Sequence, residues 1–141
     1  MKKLLPLAVA LGLAACTSPA RNACSKALEC CSTMSICEDI NRTGPNWVER
    51  CEIETQAGIE VLGTYNSEAC SKIVSTNQEL LDCLGGISCT DISSDPDRGH
   101  VAKCDPQAKA YCNALQASGD ACGHDWGHIS CDNFIASLEL E

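Results

Sequence analysis

The densest group of metal-ligand side chains is Cys122-Gly123-His124-Asp125-Trp126-Gly127-His128-Ile129-Ser130-Cys131. Two histidines four residues apart, flanked by two cysteines, are donor types that zinc takes in a tetrahedral site. On that reading Cys122, His124, His128 and Cys131 would serve a metal-dependent hydrolase or a metal-binding protein. Zinc requires thiolates, and an oxidising compartment converts paired thiols into disulfides. With both cysteines bridged, only the two imidazoles and Asp125 would remain on one loop, which is too few for a built site. The bridged reading is the expectation here, with no metal ligand, catalytic residue or cofactor assigned. No serine stands in a nucleophile elbow, no glycine loop is spaced to cradle phosphate, and no Cys-x-x-Cys pair occurs. The sequence therefore points away from an enzyme.

A second constellation is Cys30-Cys31-Ser32-Thr33-Met34-Ser35-Ile36-Cys37. Its cysteine spacing resembles the active-site helix of the secreted phospholipase A2 family. That family carries a histidine where Met34 stands and an aspartate where Ser35 stands. Histidine is the general base there, and methionine cannot take a proton. The glycine-rich calcium loop of the family is missing as well. The spacing is read instead as two cysteines on a helical face, each with its own bridge partner.

Composition says what must hold such residues in place. The chain has 141 residues and only five aromatic ones: Trp47, Tyr65, Tyr111, Trp126 and Phe134. A domain with so few large side chains buries limited apolar area and usually needs staples. Thirteen cysteines are present. Setting Cys16 aside leaves Cys24, Cys30, Cys31, Cys37, Cys51, Cys70, Cys83, Cys89, Cys104, Cys112, Cys122 and Cys131. An even dozen in an exported chain implies six disulfides, whose pairing cannot be read from spacing.

Cys16 is set aside because of what precedes it. Lys2 and Lys3 open a basic start, and Leu4 to Leu13 is an apolar run of signal-peptide length. The run is too short to span a bilayer, which needs roughly 20 apolar residues. It ends in Leu13-Ala14-Ala15-Cys16, which resembles the lipobox of bacterial lipoproteins. That resemblance implies lipid on the Cys16 thiol, palmitate-type acyl chains, cleavage before Cys16 and anchoring in the cell envelope. Thr17 rather than aspartate after the cysteine favours the outer membrane by the same resemblance. The expected organisation is a signal peptide over 1–15, a lipidated cysteine and tether over 16–22, and a cysteine-rich helical domain over 23–141. Of ten basic residues, Lys2 and Lys3 lie in the removed segment; the remaining eight face nineteen acidic ones, a net charge of −11. Such a surface repels nucleic acid and anionic headgroups, so the membrane partner is reached through the lipid; no protein partner is indicated.

The pattern along the chain is helical. Ser18-Pro19 can open a first helix, and Cys24, Ala27, Leu28 and Cys31 continue it at i, i+3, i+4, i+7 toward Met34. Asn46 can cap a second, with Val48, Cys51, Ile59 and Leu62 on one side and Thr55 and Gly58 weakening it. Ser67 opens a third, carrying Cys70, Ile73, Val74, Leu80, Leu81 and Leu84 and stopped at Gly85-Gly86. Asp105 as cap with Pro106 opens a fourth, and Ser130 caps a last short helix through Phe134, Ile135 and Leu138. Ala23-Cys24-Ser25-Lys26 recurs as Ala69-Cys70-Ser71-Lys72, either as two related hairpins or by chance. No stretch alternates as a strand. The fold class is all-α, a small disulfide-rich bundle of four or five short helices.

The region after Cys16 resembles small cysteine-rich helical lipoproteins of myxobacteria. Leu80-Leu81-Asp82-Cys83-Leu84-Gly85-Gly86-Ile87-Ser88-Cys89, a helix ending shortly before a partner cysteine, carries most of the likeness, and the Cys30-Cys31 doublet adds to it. The likeness implies fold class and location. The expected role is a membrane-anchored, disulfide-stapled envelope lipoprotein that binds or supports rather than catalyses.

Overall fold

The computed structural model describes residues 17–31, 46–93 and 100–137. Helix α1 spans Pro19–Glu29, α2 Trp47–Gly63, α3 Glu68–Gly85 and α4 Asp105–Ser118. Short 3-10 turns at Cys89–Asp91 and Ala102–Cys104 link α3 to α4. The molecule is a small, disulfide-rich helical bundle. Among the described residues there is no strand, only one antiparallel bridge between His100 and Ser137. No described helix is long and apolar enough to cross a membrane.

Local sequence explains most helix starts. Ser18 caps α1, its Oγ accepting a hydrogen bond from Arg21 N at 3.1 Å, with Pro19 in the first turn. The helix therefore begins inside the stretch read as tether. It ends at Glu29, and Cys30 closes it by donating its backbone N–H to Lys26 and Leu28. Cys30 and Cys31 thus follow the helix rather than riding on its face; Met34 and Cys37 lie outside the described residues. Asn46 and Ser67 stand at the N-caps of α2 and α3 without making a side-chain cap bond.

Two expectations at the C-terminal end are corrected. Asp105 is the first residue of α4, not its cap. Its carboxylate is engaged elsewhere: Oδ1 accepts from Ala136 N at 2.9 Å, and Oδ2 pairs with His100 Nε2 at 2.9 Å. That contact is also why no helix runs on from Ser130 through residue 137. Val101 N donates to Ala136 O, Ala136 is buried, and Cys131 is bridged to Cys112. The segment is drawn out along α4 instead of coiling; Leu138 lies outside the described residues.

The core is built around α1 and α3. Ala20, Ala23 and Ala27 form one buried edge of α1, set against Leu81, Leu84, Ile87, Ile92, Val101 and Ala108. Small side chains let the two helices approach until backbone meets backbone. A Cβ on Gly85 would stand 2.8 Å from Asn22 Cβ and 3.2 Å from the Asn22 carbonyl carbon. Gly85 is therefore a packing glycine. Gly86, which follows the helix, has φ −96 and needs no left-handed backbone.

Among the described residues five bridges are defined: Cys24–Cys51, Cys30–Cys89, Cys70–Cys122, Cys83–Cys104 and Cys112–Cys131. Each ties two different elements. Cys31 is disulfide-bonded too. Within the Leu80–Cys89 stretch the two cysteines are not joined to each other; Cys83 goes forward to Cys104 and Cys89 back to Cys30. The repeated Ala-Cys-Ser-Lys motifs sit near the starts of α1 and α3, but Cys24 reaches a helix and Cys70 a loop.

Candidate functional site

The Cys122–Cys131 cluster does not close around a metal. Cys122 is bonded to Cys70 and Cys131 to Cys112, so neither sulfur is a thiolate and the two belong to different bridges. His124 and His128 are exposed. The His124 ring rests against Trp126 at 4.3 Å between centroids. Asp125 is turned inward on its own loop, Oδ1 accepting from Gly127 N at 2.9 Å. Among the described residues no three His, Cys, Asp or Glu side chains converge on a cation site.

What the bridges do is place this loop beside the helices. Gly119 and Gly123 take positive φ, 54 and 80, which lets the chain leave α4 and fold back. Trp126 N donates to Gly119 O, and Gln116 Nε2 on α4 donates to Ile129 O at 2.9 Å. The Cys70–Cys122 bridge then fixes the loop to the start of α3. Around it a second apolar cluster gathers: Ile73, Ala114 and Leu115 buried, with Leu62, Tyr111, Trp126 and Ile129 partly covered.

This cluster does not fill its space. A groove of about 540 Å³ opens between α2, α3, α4 and the loop. Thr55, Gly58, Ile59 and Leu62 form its α2 wall at i, i+3, i+4, i+7. Tyr65, Tyr111, Trp126 and His124 supply rings, and Asn77 a side-chain amide. The groove lies within the usual size range of small-ligand sites, roughly 300–1,000 Å³. Among the described residues no carboxylate, ammonium or guanidinium lines it.

Two of its polar groups are constrained. Burial pushes the Tyr111 phenol above its ordinary range, and a hydrogen bond with the Asn77 side chain opposes the shift. The hydroxyl is neutral at physiological pH and available only as a hydrogen-bonding group. Trp126 Nε1 is buried and has no hydrogen-bond partner among the described residues. A buried indole N–H usually finds an acceptor, and an orphaned donor costs about 1–3 kcal/mol. The arrangement can bind and orient an apolar molecule; it holds no positioned nucleophile or base–nucleophile pair.

The groove is the feature that sequence reasoning missed. Its wall on α2 is where Thr55 and Gly58 interrupt the apolar side, and that interruption was the available signal. The rings come from positions 65, 111, 124 and 126, which no local pattern connects. Elsewhere, Glu52 on α2 pins the start of α1. Its Oε1 accepts from Ser18 Oγ at 2.6 Å, and Oε2 pairs with Arg21 Nη1 at 2.8 Å. The Ser18 hydrogen bond, aided by Arg21 and opposed by partial burial, lowers the Glu52 pKa. Compared with protein-family models, curated proteins and solved structures, the chain matches none.

Proposed function

We propose that this chain is a bacterial lipoprotein, cut before Cys16, lipidated there and held in the cell envelope, on the outer membrane, as a non-catalytic binding or supporting domain. The observation that carries the reading is the sulfur pairing. Ten cysteines pair among themselves, and Cys31 is also bonded. The twelve cysteines other than Cys16 are an even set, so pairing all of them in bridges sets Cys16 apart as the one for lipid. The lipobox-like Leu13-Ala14-Ala15 before it supplies the processing signal. Two or more acyl chains hold a protein stably where a single chain does not. The acidic surface then has no need to touch the bilayer, and the groove gives the domain something to bind with.

Metabolic labelling with palmitate, followed by mass analysis of the N-terminal peptide, tests this directly. The expected product starts at a diacylglyceryl-modified Cys16, and Cys16→Ala abolishes the label while the bridges still form. A Cys16–Cys31 disulfide, or a mature N-terminus elsewhere, would overturn the reading.

A further inference from the structure

The groove is selective by what it lacks as much as by what it contains. We infer that it is a binding site for a neutral, largely aromatic or aliphatic small molecule that carries a hydrogen-bond acceptor. This deepens the binding role proposed above and rests on that reading for its setting. Three observations point to this class. The wall is apolar helix and ring surface, from Ile59 and Leu62 across to Tyr111 and Trp126, and among the described residues no carboxylate, ammonium or guanidinium lines it. An anionic ligand would also approach a chain whose formal net charge is −9. The polar side chains are few, Asn77, Thr55, two phenols and the His124 ring, and are suited to orienting a molecule by hydrogen bonds.

The third observation is the unpartnered Trp126 Nε1. The indole lines the groove, and its ring neighbour is the exposed His124. A ligand acceptor at the indole edge satisfies this donor once the ring turns toward it, so binding recovers a hydrogen bond that the indole otherwise forgoes. Apart from that turn of the indole, the backbone of the walls does not need to assemble. Cys70–Cys122 fixes the loop to α3, and Cys112–Cys131 fixes α4 to the segment that follows the loop. A preformed site avoids the ordering cost that a flexible one meets on binding.

Two glycines on α2 make the test. A Cβ on either Gly58 or Gly63 meets no atom within 4 Å, and only Gly58 lines the groove. The assay uses oxidised protein carrying Cys16→Ser, which keeps lipid and detergent out whichever way the anchoring question falls. N-phenyl-1-naphthylamine serves as the neutral probe, 1-anilinonaphthalene-8-sulfonate as the anionic one, and a trimethylammonium-naphthalene as the cationic one. Saturable binding of the neutral probe at one site per chain, with energy transfer from tryptophan, is expected. Gly58→Phe should weaken it by about tenfold or more and Gly63→Phe should leave it within about twofold. Thr55→Trp, one turn away on the same wall, repeats the block if the Gly58 variant loses its bridges by intact mass. Absence of saturable neutral binding, equal losses at Gly58 and Gly63, or equal or tighter binding of either charged probe would each overturn the inference. None of these results bears on palmitate labelling at Cys16, so the two readings fail separately.

Discussion

Around Ala23, Leu84 and Gly85 the helices meet through side chains too small to leave space, whereas around Tyr65, Tyr111 and Trp126 they meet through rings that leave a groove. Both regions are stapled. Cys24–Cys51, Cys30–Cys89 and Cys83–Cys104 hold the first, and Cys70–Cys122 and Cys112–Cys131 hold the second. Covalent closure therefore does not decide how well a region packs. A disulfide acts mainly on the unfolded chain, by shortening the loops it can explore. Packing density is set by side-chain size, and alanine against glycine permits an approach that tyrosine against leucine does not. The hub gains stability from contact, while the groove half can leave large rings partly wet because its bridges are independent of them. The exposed side of α2 fits the same pattern: Ile53 and Val61 are each 59% accessible, and Cys51 is its sole buried residue.

The contrast breaks most easily at paired leucines. Leu84→Ala in the hub should cost about 2–5 kcal/mol, because the side chain is fully buried in the α1–α3 core and its removal leaves a cavity. Leu62→Ala on the groove wall should cost less than about 1.5 kcal/mol, since that side chain is already partly in water. Urea unfolding without reductant measures both, and equal costs would erase the distinction between hub and groove. The glycines give an opposed pair of smaller size. Gly85→Ala must push α1 off α3 and should cost about 1–3 kcal/mol. Gly58→Ala enters open space in a helix and should stabilise by up to about 1 kcal/mol. Thermal melts of the two should move in opposite directions.

Asp105→Ala removes the acceptor for Ala136 N and the partner of His100. A cost of about 1–2 kcal/mol is expected, with the Ala136 amide exchanging faster while amides in the middle of α4 stay protected. Little effect at Ala136 would mean that the Val101 contact and the Cys112–Cys131 bridge hold the segment unaided.

The smallest effect belongs to Glu52. Its side chain is 20% exposed and that of its partner Arg21 is 49% exposed, so Glu52→Gln should cost no more than about 1 kcal/mol. The sign with pH is definite. The Ser18 hydrogen bond lowers the folded-state pKa, so the contribution is complete above the ordinary carboxyl range and fades as pH falls through the lowered value. Stability of the Glu52→Gln variant should therefore decline less on acidification than that of the parent, as followed by melts at successive pH values.

Helices were legible wherever a cap, a proline and a 3.6-residue stripe agreed, as at Ser18-Pro19 and along Ile73 to Leu84. The end of the chain was not, because there local preference competes with a distant acceptor. Nothing around Ser130 announces that Asp105 will take Ala136 N, and that bond decides against a helix. The bridge partners were not assignable, since no local spacing announces that Cys83 goes forward to Cys104 and Cys89 back to Cys30. The groove was illegible for a related reason. Its walls are separated by up to some seventy residues and meet only after the loop is tied to α3.

The order of the bridges along the chain has a consequence for cleavage. Cys24–Cys51 and Cys30–Cys89 both cross the stretch 32–45, and Cys70–Cys122 and Cys83–Cys104 both cross 94–99. A peptidase that cut both stretches would make three pieces and release none of them. The nicked molecule would keep its mass apart from the added waters and come apart only on reduction, so a protease would mark this protein without breaking it apart.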